Sequence, residues 1–386
     1  MSTLKSIPHE LVAEGERVMR ICNACRYCEG FCAVFPAMER RLTFKEDDLN
    51  YLANLCHNCT ECYYACQYAP PQEFELNFPK TLAEIRMATY QKYAWPGPLA
   101  GLFKNNGLAT AVISALSLVI ILAIMLTSAT SKSLLSAYSD AEGAFYAVMS
   151  HHTMVLTFGT AAALLFVALA AGYARFWKDT SGKAEGSVSF TALAQAVGDV
   201  LRLRYLDGAE GGCAYPEEFQ SNARRRFHHL TFYGFILCFA ATAVGTVFHY
   251  LLGWEGPPPI PGVGKLNLVR SLPVILGSVG GIGLLIGPAG LLWLKSKRNT
   301  LLADQKQNGM DAGFLILLIL TSLTGFLLTA FRETGAVSTL VVAHLGMVMG
   351  IFLTMPYGKF VHGIYRFGAL VKNAVEQRTM PTLGSE

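Results

Sequence analysis

CNACRYCEGFC (Cys22–Cys32) and CHNCTECYYAC (Cys56–Cys66) are two copies of one cysteine ladder. Each reads C-x2-C-x2-C-x3-C, and every position of the second lies 34 residues after its counterpart in the first. Three thiolates two residues apart can point inward from one tight winding of backbone, which leaves the fourth to reach elsewhere. This is the spacing that holds two 4Fe–4S clusters, with the fourth cysteine of each ladder serving the other cluster. On that reading Cys22, Cys25, Cys28 and Cys66 ligate one cluster, and Cys56, Cys59, Cys62 and Cys32 the other. Structural zinc takes four ligands, usually as two separated C-x2-C pairs, so two complete ladders over-supply it. The bacterial run usually carries Pro after its fourth cysteine, whereas Ala33 and Gln67 stand there in this chain. That departure favours an all-helical variant. His57, inside the second ladder, reads as a surface residue without a role. Cys213 and Cys238 stand apart, and Cys213 reads as an inert buried thiol.

Beyond the ladders the chain turns apolar. Of 386 residues only 15% are charged, and the mean hydropathy is +0.37, whereas a soluble globular chain carries about 25% charged residues. A net charge of +4, with no basic run interleaved with aromatics, argues against nucleic-acid binding. Residues 1–20 are amphipathic and charged and lack the apolar core of a secretory signal. The cysteine-rich head is therefore expected in the reducing cytoplasm, where clustered cysteines read as metal ligands rather than disulfides.

The expected fold is mainly α: an N-terminal helical ferredoxin-like double-cluster domain followed by a six-helix transmembrane bundle. Residues 1–80 form the cytoplasmic head. Within it Glu46–Leu55 has helical apolar spacing and acids in its first turn. Residues 81–107 read as a linker broken by Trp95-Pro96-Gly97-Pro98. The membrane domain spans 108–371 and a cytoplasmic tail 372–386. Apolar segments at 108–127, 145–172, 229–253, 271–294, 313–331 and 337–358 contain no Lys, Arg, Asp or Glu. Each is near the ~20 residues needed to cross a bilayer as a helix. Eight Lys/Arg lie between Tyr173 and Phe227 and four between Lys295 and Ala312, while the alternate loops hold only Lys132, then Lys265 and Arg270, then Arg332. The positive-inside rule puts both termini and the basic loops in the cytoplasm, giving a multi-pass protein of the inner (cytoplasmic) membrane.

Histidines mark the spans. Ionisable groups at membrane depth are costly and point to function. The third segment carries His228 and His229 at its inner end and His249 near its outer end; the sixth has His344 near its outer start and His362 at its inner end. The helical rise is about 30 Å from His229 to His249 and about 27 Å from His344 to His362. Two bis-His haem b groups fit this pattern, the inner on His229 or His228 with His362 and the outer on His249 with His344. His151 and His152 are rival outer ligands. Gly245, Gly346 and Gly350 would let a macrocycle approach the backbone, and Arg224, Arg225, Arg226 and Arg366 would meet propionates on the inner side. Gly277, Gly280, Gly281, Gly283 and Gly287 on the fourth segment read as close helix packing.

Two such ladders followed by a six-helix body resemble the tricarballylate-utilization protein B family, the CitB-type iron–sulfur membrane proteins. LRLRYLDGAEGGCAYP (Leu201–Pro216) and RRRFHH (Arg224–His229) are the most specific part of the likeness, which covers essentially the whole chain. The membrane half is distantly similar to the haem-bearing gamma subunit of respiratory nitrate reductase, and the head is similar to helical ferredoxin domains of heterodisulfide reductase-like proteins. The resemblance implies an electron-transfer subunit. It would reoxidise the flavin of a partner, a FAD-dependent tricarballylate dehydrogenase, and pass electrons through two 4Fe–4S clusters and one or two haem b to a membrane quinone. No GxGxxG fingerprint opens a βαβ unit, so the flavin belongs to another subunit. Two rivals are a transporter with a redox-sensing head, and a passive anchor for a soluble dehydrogenase. The spans lack the paired acids and broken-helix pairs typical of transporters.

Overall fold

The computed structural model describes residues 6–128, 148–181, 186–206, 211–214, 219–253 and 269–380. Lys132 and Lys265, the first residues of the 145–172 segment, parts of the Leu201–Pro216 stretch and the end of the tail lie outside them. Among the described residues the fold is helical except for one two-stranded hairpin, β1 (Cys213–Ala214) with β2 (Gln220–Ser221).

The head begins with α1 (His9–Cys25), α2 (Val34–Glu39), α3 (Glu46–Leu55) and α4 (Glu61–Tyr64). Helix α3 occupies the bounds read from the sequence. Its first turn holds Glu46, Asp47 and Asp48, which favour the positive end of the helix dipole, and the Asp48 carboxylate accepts from the Lys45 N–H at 3.3 Å. The expected linker is different in its first half. Residues Phe78–Tyr93 form α5, whose Leu82, Ile85, Tyr90 and Tyr93 are fully buried in the head core with Leu49, Leu52 and Leu55 of α3. Asn77 caps it by accepting from the Lys80 N–H at 3.2 Å, and Pro79 occupies its first turn, where an amide would be idle anyway.

Among the described residues six helices are long and apolar enough to cross a membrane: α6 (Asn106–Ser128), α7 (His151–Thr180), α9 (Ala223–Leu252), α10 (Leu272–Lys297), α11 (Asn308–Phe331) and α12 (Val337–Thr354). This is a multi-pass membrane protein. The glycines of α10 let its backbone touch that of α9: a Cβ on Gly280 would stand 2.8 Å from the Gly234 carbonyl oxygen, and one on Gly283 2.7 Å from that of Leu230. Without a hydrophobic drive between helices in lipid, such backbone contact supplies the attraction. Gly346 and Gly350 serve the same purpose on α12, against Leu118 and Ser114 of α6, rather than facing a macrocycle.

Helix α12 stops at Thr354, and a turn of 3-10 helix (Met355–Tyr357) leads into α13 (Val361–Thr379). His362 therefore lies beyond the sixth span, on a helix that docks with the head. Residues 372–379 of the expected tail are part of that helix, which packs on α3 and on α8 (Phe190–Arg202). Its Glu376 is fully buried; it accepts from Arg41 of the head and from Tyr51 Oη at 3.1 Å, with Lys372 Nζ 3.7 Å away. Further ties run from Lys92 to Asp179 at 2.5 Å and from Gln307 Nε2 to the Ala83 carbonyl at 2.6 Å. An aromatic cluster of Tyr90, Tyr93, Phe176 and Tyr365 packs between α5, α7 and α13.

Glu376→Ala removes the buried carboxylate that faces both Arg41 and Lys372, leaving Asp48, at 2.6 Å, as the acid on Arg41. It should destabilise the head–membrane junction by about 3–5 kcal/mol. Thermal unfolding of the purified chain in detergent reads this as a clear fall in midpoint, and an unchanged midpoint would contradict it.

Candidate redox sites at the head–membrane junction

The two ladders are wound by left-handed residues that are not glycine: Arg26 (φ 54°) in the first, and Asn58 (φ 53°) and Thr60 (φ 68°) in the second. Positive φ in a β-branched residue such as Thr is an outlier that the surroundings must enforce. Alternation of right- and left-handed backbone turns successive N–H groups inward, the arrangement found around anionic iron–sulfur sites. One such amide, that of Asn58, lies 3.3 Å from Cys56 Sγ.

The side chains sort into two groups. Cys22, Cys25, Cys28, Cys66 and Cys62 line a cavity of about 280 Å³. Cys32, Cys56, Cys59 and Cys62 close on only about 10 Å³, so a cluster there must press its thiols apart. Among the described residues no three His, Cys, Asp or Glu converge on a single-ion position. Cubane thiolates bind separate irons, so they do not share one ion as a zinc set does. Burial, and after it the thiols of Cys66, Cys28 and Cys25, raises the Cys22 pKa; burial and then Cys59 and Cys56 do the same to Cys32 and Cys62. Thiols gathered in this way ionise when a cationic centre joins them.

The hairpin from the membrane half wraps the second ladder. Thr60 Oγ1 donates to the Ala214 carbonyl at 2.7 Å, and Gln220 Nε2 donates to Glu61 Oε1 at 2.7 Å. Gly212 (φ +106°) lets the chain before β1 approach β2, because a Cβ there would stand 2.5 Å from the Ser221 carbonyl carbon. Cys213 is fully buried in one cluster with Cys59, and its thiol donates to the Leu206 carbonyl at 3.2 Å. It is not the isolated thiol that its sequence position implied.

His57 is likewise not on the surface. It is 8% exposed, and its Nδ1 lies 2.9 Å from the Leu55 carbonyl. Burial, then the charges of Arg366, Arg224 and Arg86, hold its pKa well below the ordinary value, so it is a neutral imidazole. It lines the small cavity of the second ladder and also a second, larger one of about 480 Å³. This larger cavity sits where the head meets α9, α11 and α13, and its size is that of a cofactor pocket. His228 and His362 both face it. Their ring centroids are 6.2 Å apart, which leaves room for one metal atom between imidazole nitrogens at about 2 Å each, the zinc–histidine bond length. His362 holds Nδ1 against the Lys359 carbonyl, which leaves Nε2 its lone pair, as ligating histidines do. His228 Nδ1 is buried without a partner among the described residues. The walls include Phe232, Phe235 and Leu318, and Arg86, Arg224 and Arg366 face in as well. Burial and the nearby Arg86 bring Arg366 down to about 10. These residues fit a flat, apolar, carboxylated metal macrocycle.

The other histidines sit elsewhere. His229 stacks on Tyr233 at 5.8 Å and turns toward the carbonyls of Leu201 and Arg202. His249 lies against His151 with ring centroids 4.2 Å apart, too close for a metal between opposed rings. His344 bonds through Nδ1 to the Thr321 carbonyl at 3.1 Å and to Thr324 Oγ1 at 3.2 Å. Of the expected ligands, His228 and His362 thus face one cavity together, whereas His249 lies against His151 and His344 bonds to α11.

Comparison with known proteins gives a consistent picture. Residues 104–382 match the family described as citrate utilization protein B. Residues 15–92 match the one described as citrate utilization protein B Fer4-like domain. The chain is 49% identical over 367 residues, 95% of this chain and 93% of the relative, to a protein of Escherichia coli named citrate utilization protein B. No solved structure matches.

If the ladders are cluster ligands, the purified chain holds about eight irons, and Cys25→Ser and Cys59→Ser each lose roughly half of them. Cys213→Ala, which removes a neighbour rather than a ligand, should keep the full count. Iron and acid-labile sulfide analysis checks this, and a Cys213 variant as depleted as Cys59→Ser would contradict it.

Proposed function

The chain belongs to the citrate utilization protein B family, and on that footing we propose that it is a membrane electron conduit. It takes electrons from the reduced flavin of a separate FAD-dependent dehydrogenase acting on a tricarboxylate of the citrate or tricarballylate type, and delivers them to a membrane quinone. The two cysteine sets hold 4Fe–4S clusters, and His228 with His362 holds a haem b. These groups supply one-electron redox chemistry, and the protein supplies their spacing, shielding and potential. The outer histidines have no part in this proposal.

The observation that carries it is the position of His57. It forms a wall of the second cysteine cavity and a wall of the histidine cavity at once. Its main chain and that of its neighbours are gripped from the membrane side. Arg224 donates to the carbonyls of His57 at 2.9 Å and Asn58 at 2.7 Å, and Arg366 to that of Cys56 at 2.9 Å. Redox centres in these two cavities would be neighbours, separated by one side chain and one layer of backbone. A passive anchor or a transporter would have no need of that juxtaposition. The basic loop ends, Arg224, Lys295 and Arg298, line the same junction as the head, so the charge rule that puts these loops in the cytoplasm puts the head there too. The protein would then sit in the inner membrane with its clusters facing the cytoplasmic dehydrogenase.

Membranes containing the full chain should give a reduced-minus-oxidised haem b spectrum. His228→Ala and His362→Ala should each abolish it, and His229→Ala should retain it. Colourless membranes would support the anchor reading, and loss in His229→Ala with retention in His228→Ala would overturn the ligand pair.

A further inference from the structure

The large cavity has a surplus of positive charge that the ligand pair does not explain. Arg86, Arg224, Lys295, Arg298, Lys359 and Arg366 line it, against Asp199, Asp304 and Asp311. The acids are engaged already. Asp311 lies between Lys295 at 2.6 Å and Lys359 at 2.7 Å. Asp199 faces Arg204 at 3.4 Å, and Asp304 caps the following turn through the Lys306 N–H at 3.0 Å.

Arg86 is left over. It comes from α5, in the head, and is 5% exposed, yet its Nε and Nη2 have no partner among the described residues. Arg366 comes from α13; Nη2 is given to the Cys56 carbonyl and Nε has no partner. A buried guanidinium with idle donors is costly unless an anion completes it, and the planar fork matches a carboxylate in particular. Two such forks enter one cavity that Phe232, Phe235, Phe314 and Phe360 also line. Idle guanidinium forks beside aromatic walls suit a flat apolar body with carboxylates at one edge.

We propose that Arg86 and Arg366 bind the carboxylates of the cavity's occupant, so that the head itself helps hold the membrane cofactor. This rests on the haem b reading, for which the carboxylates are the two propionates. Arg366 would then touch a propionate and the main chain of a cluster ligand at once. Arg86 would tie cofactor loading to the docking of the head. Arg86 carries no signal of its own in the residue pattern, because it lies in a stretch that reads as linker.

The test uses the full-length chain purified in detergent, with haem b per chain and the haem midpoint potential as readouts. Losing a cation beside the propionates favours the ferric state. Arg86→Gln should therefore shift the reduced-to-oxidised ratio at fixed potential by about tenfold toward oxidised, about 59 mV for one electron. Arg86→Lys, which keeps the charge, should restore most of the shift. The unmutated chain supplies a check that no folding failure can spoil: on 15N-arginine labelling, haem reduction should move guanidinium bands in the infrared difference spectrum. Haem b present with unchanged loading and midpoint in Arg86→Gln, or unmoved guanidinium bands, would overturn the arginine assignment alone. A wild-type chain without haem b would overturn it together with the reading beneath it.

Discussion

Two guanidinium groups fix the second cysteine ladder to the membrane half. Arg224 rises from the start of α9 and Arg366 from α13, and between them they bind the consecutive carbonyls of Cys56, His57 and Asn58. Hydrogen bonds from a charged donor are the stronger kind. These are also shielded, so salt screens them little. Because both arginines also line the histidine cavity, one set of contacts positions a cluster ligand and the neighbouring pocket together.

Around that bolt the protein uses different forces on its two sides. In the bundle, α9 and α10 meet through glycine backbones, with the Phe227 ring of α9 seated on Gly290 of α10. At the junction the ties are polar and deeply placed: Arg41 and Lys372 around Glu376, Lys92 between Glu46 and Asp179, and the Asn50–Tyr93–Thr89 group. Polar contacts of this kind demand one geometry and tolerate little slippage. A rigid junction suits electron transfer, where spacing matters more than motion.

Much of this was legible from residues. Thiol spacing located the Fer4-like head, because an iron–sulfur site imposes fixed spacing on ligands that are neighbours in sequence. The spans were legible because lipid demands long apolar helices, and the glycines of α10 because small side chains there have few other uses. Helices α5 and α13 were missed for a common reason. Each mixes charged residues with its apolar ones, and their burial depends on partners far away in the chain, such as Arg41 for Glu376. Arg86 and His57 were hidden in the same way, since burial of a polar side chain leaves no pattern in composition. Between His228 and His229 the sequence offered no choice. The helix face decides it, sending one to the cavity and the other to Tyr233. For the outer histidines, the stacking of His249 on His151 depends on how α7 leans on α9, which spacing along one chain does not encode.

The central claim is that the cysteine ladders and the histidine cavity form one conductor. Rapid mixing of the oxidised full-length chain with a reduced flavin, following cluster and haem b absorbance together, tests it most directly. The account predicts that cluster bleaching comes first and haem b reduction follows from it, with the second phase lost when Cys59→Ser removes the adjoining cluster. Haem b reduced at the same rate with that cluster gone would contradict it.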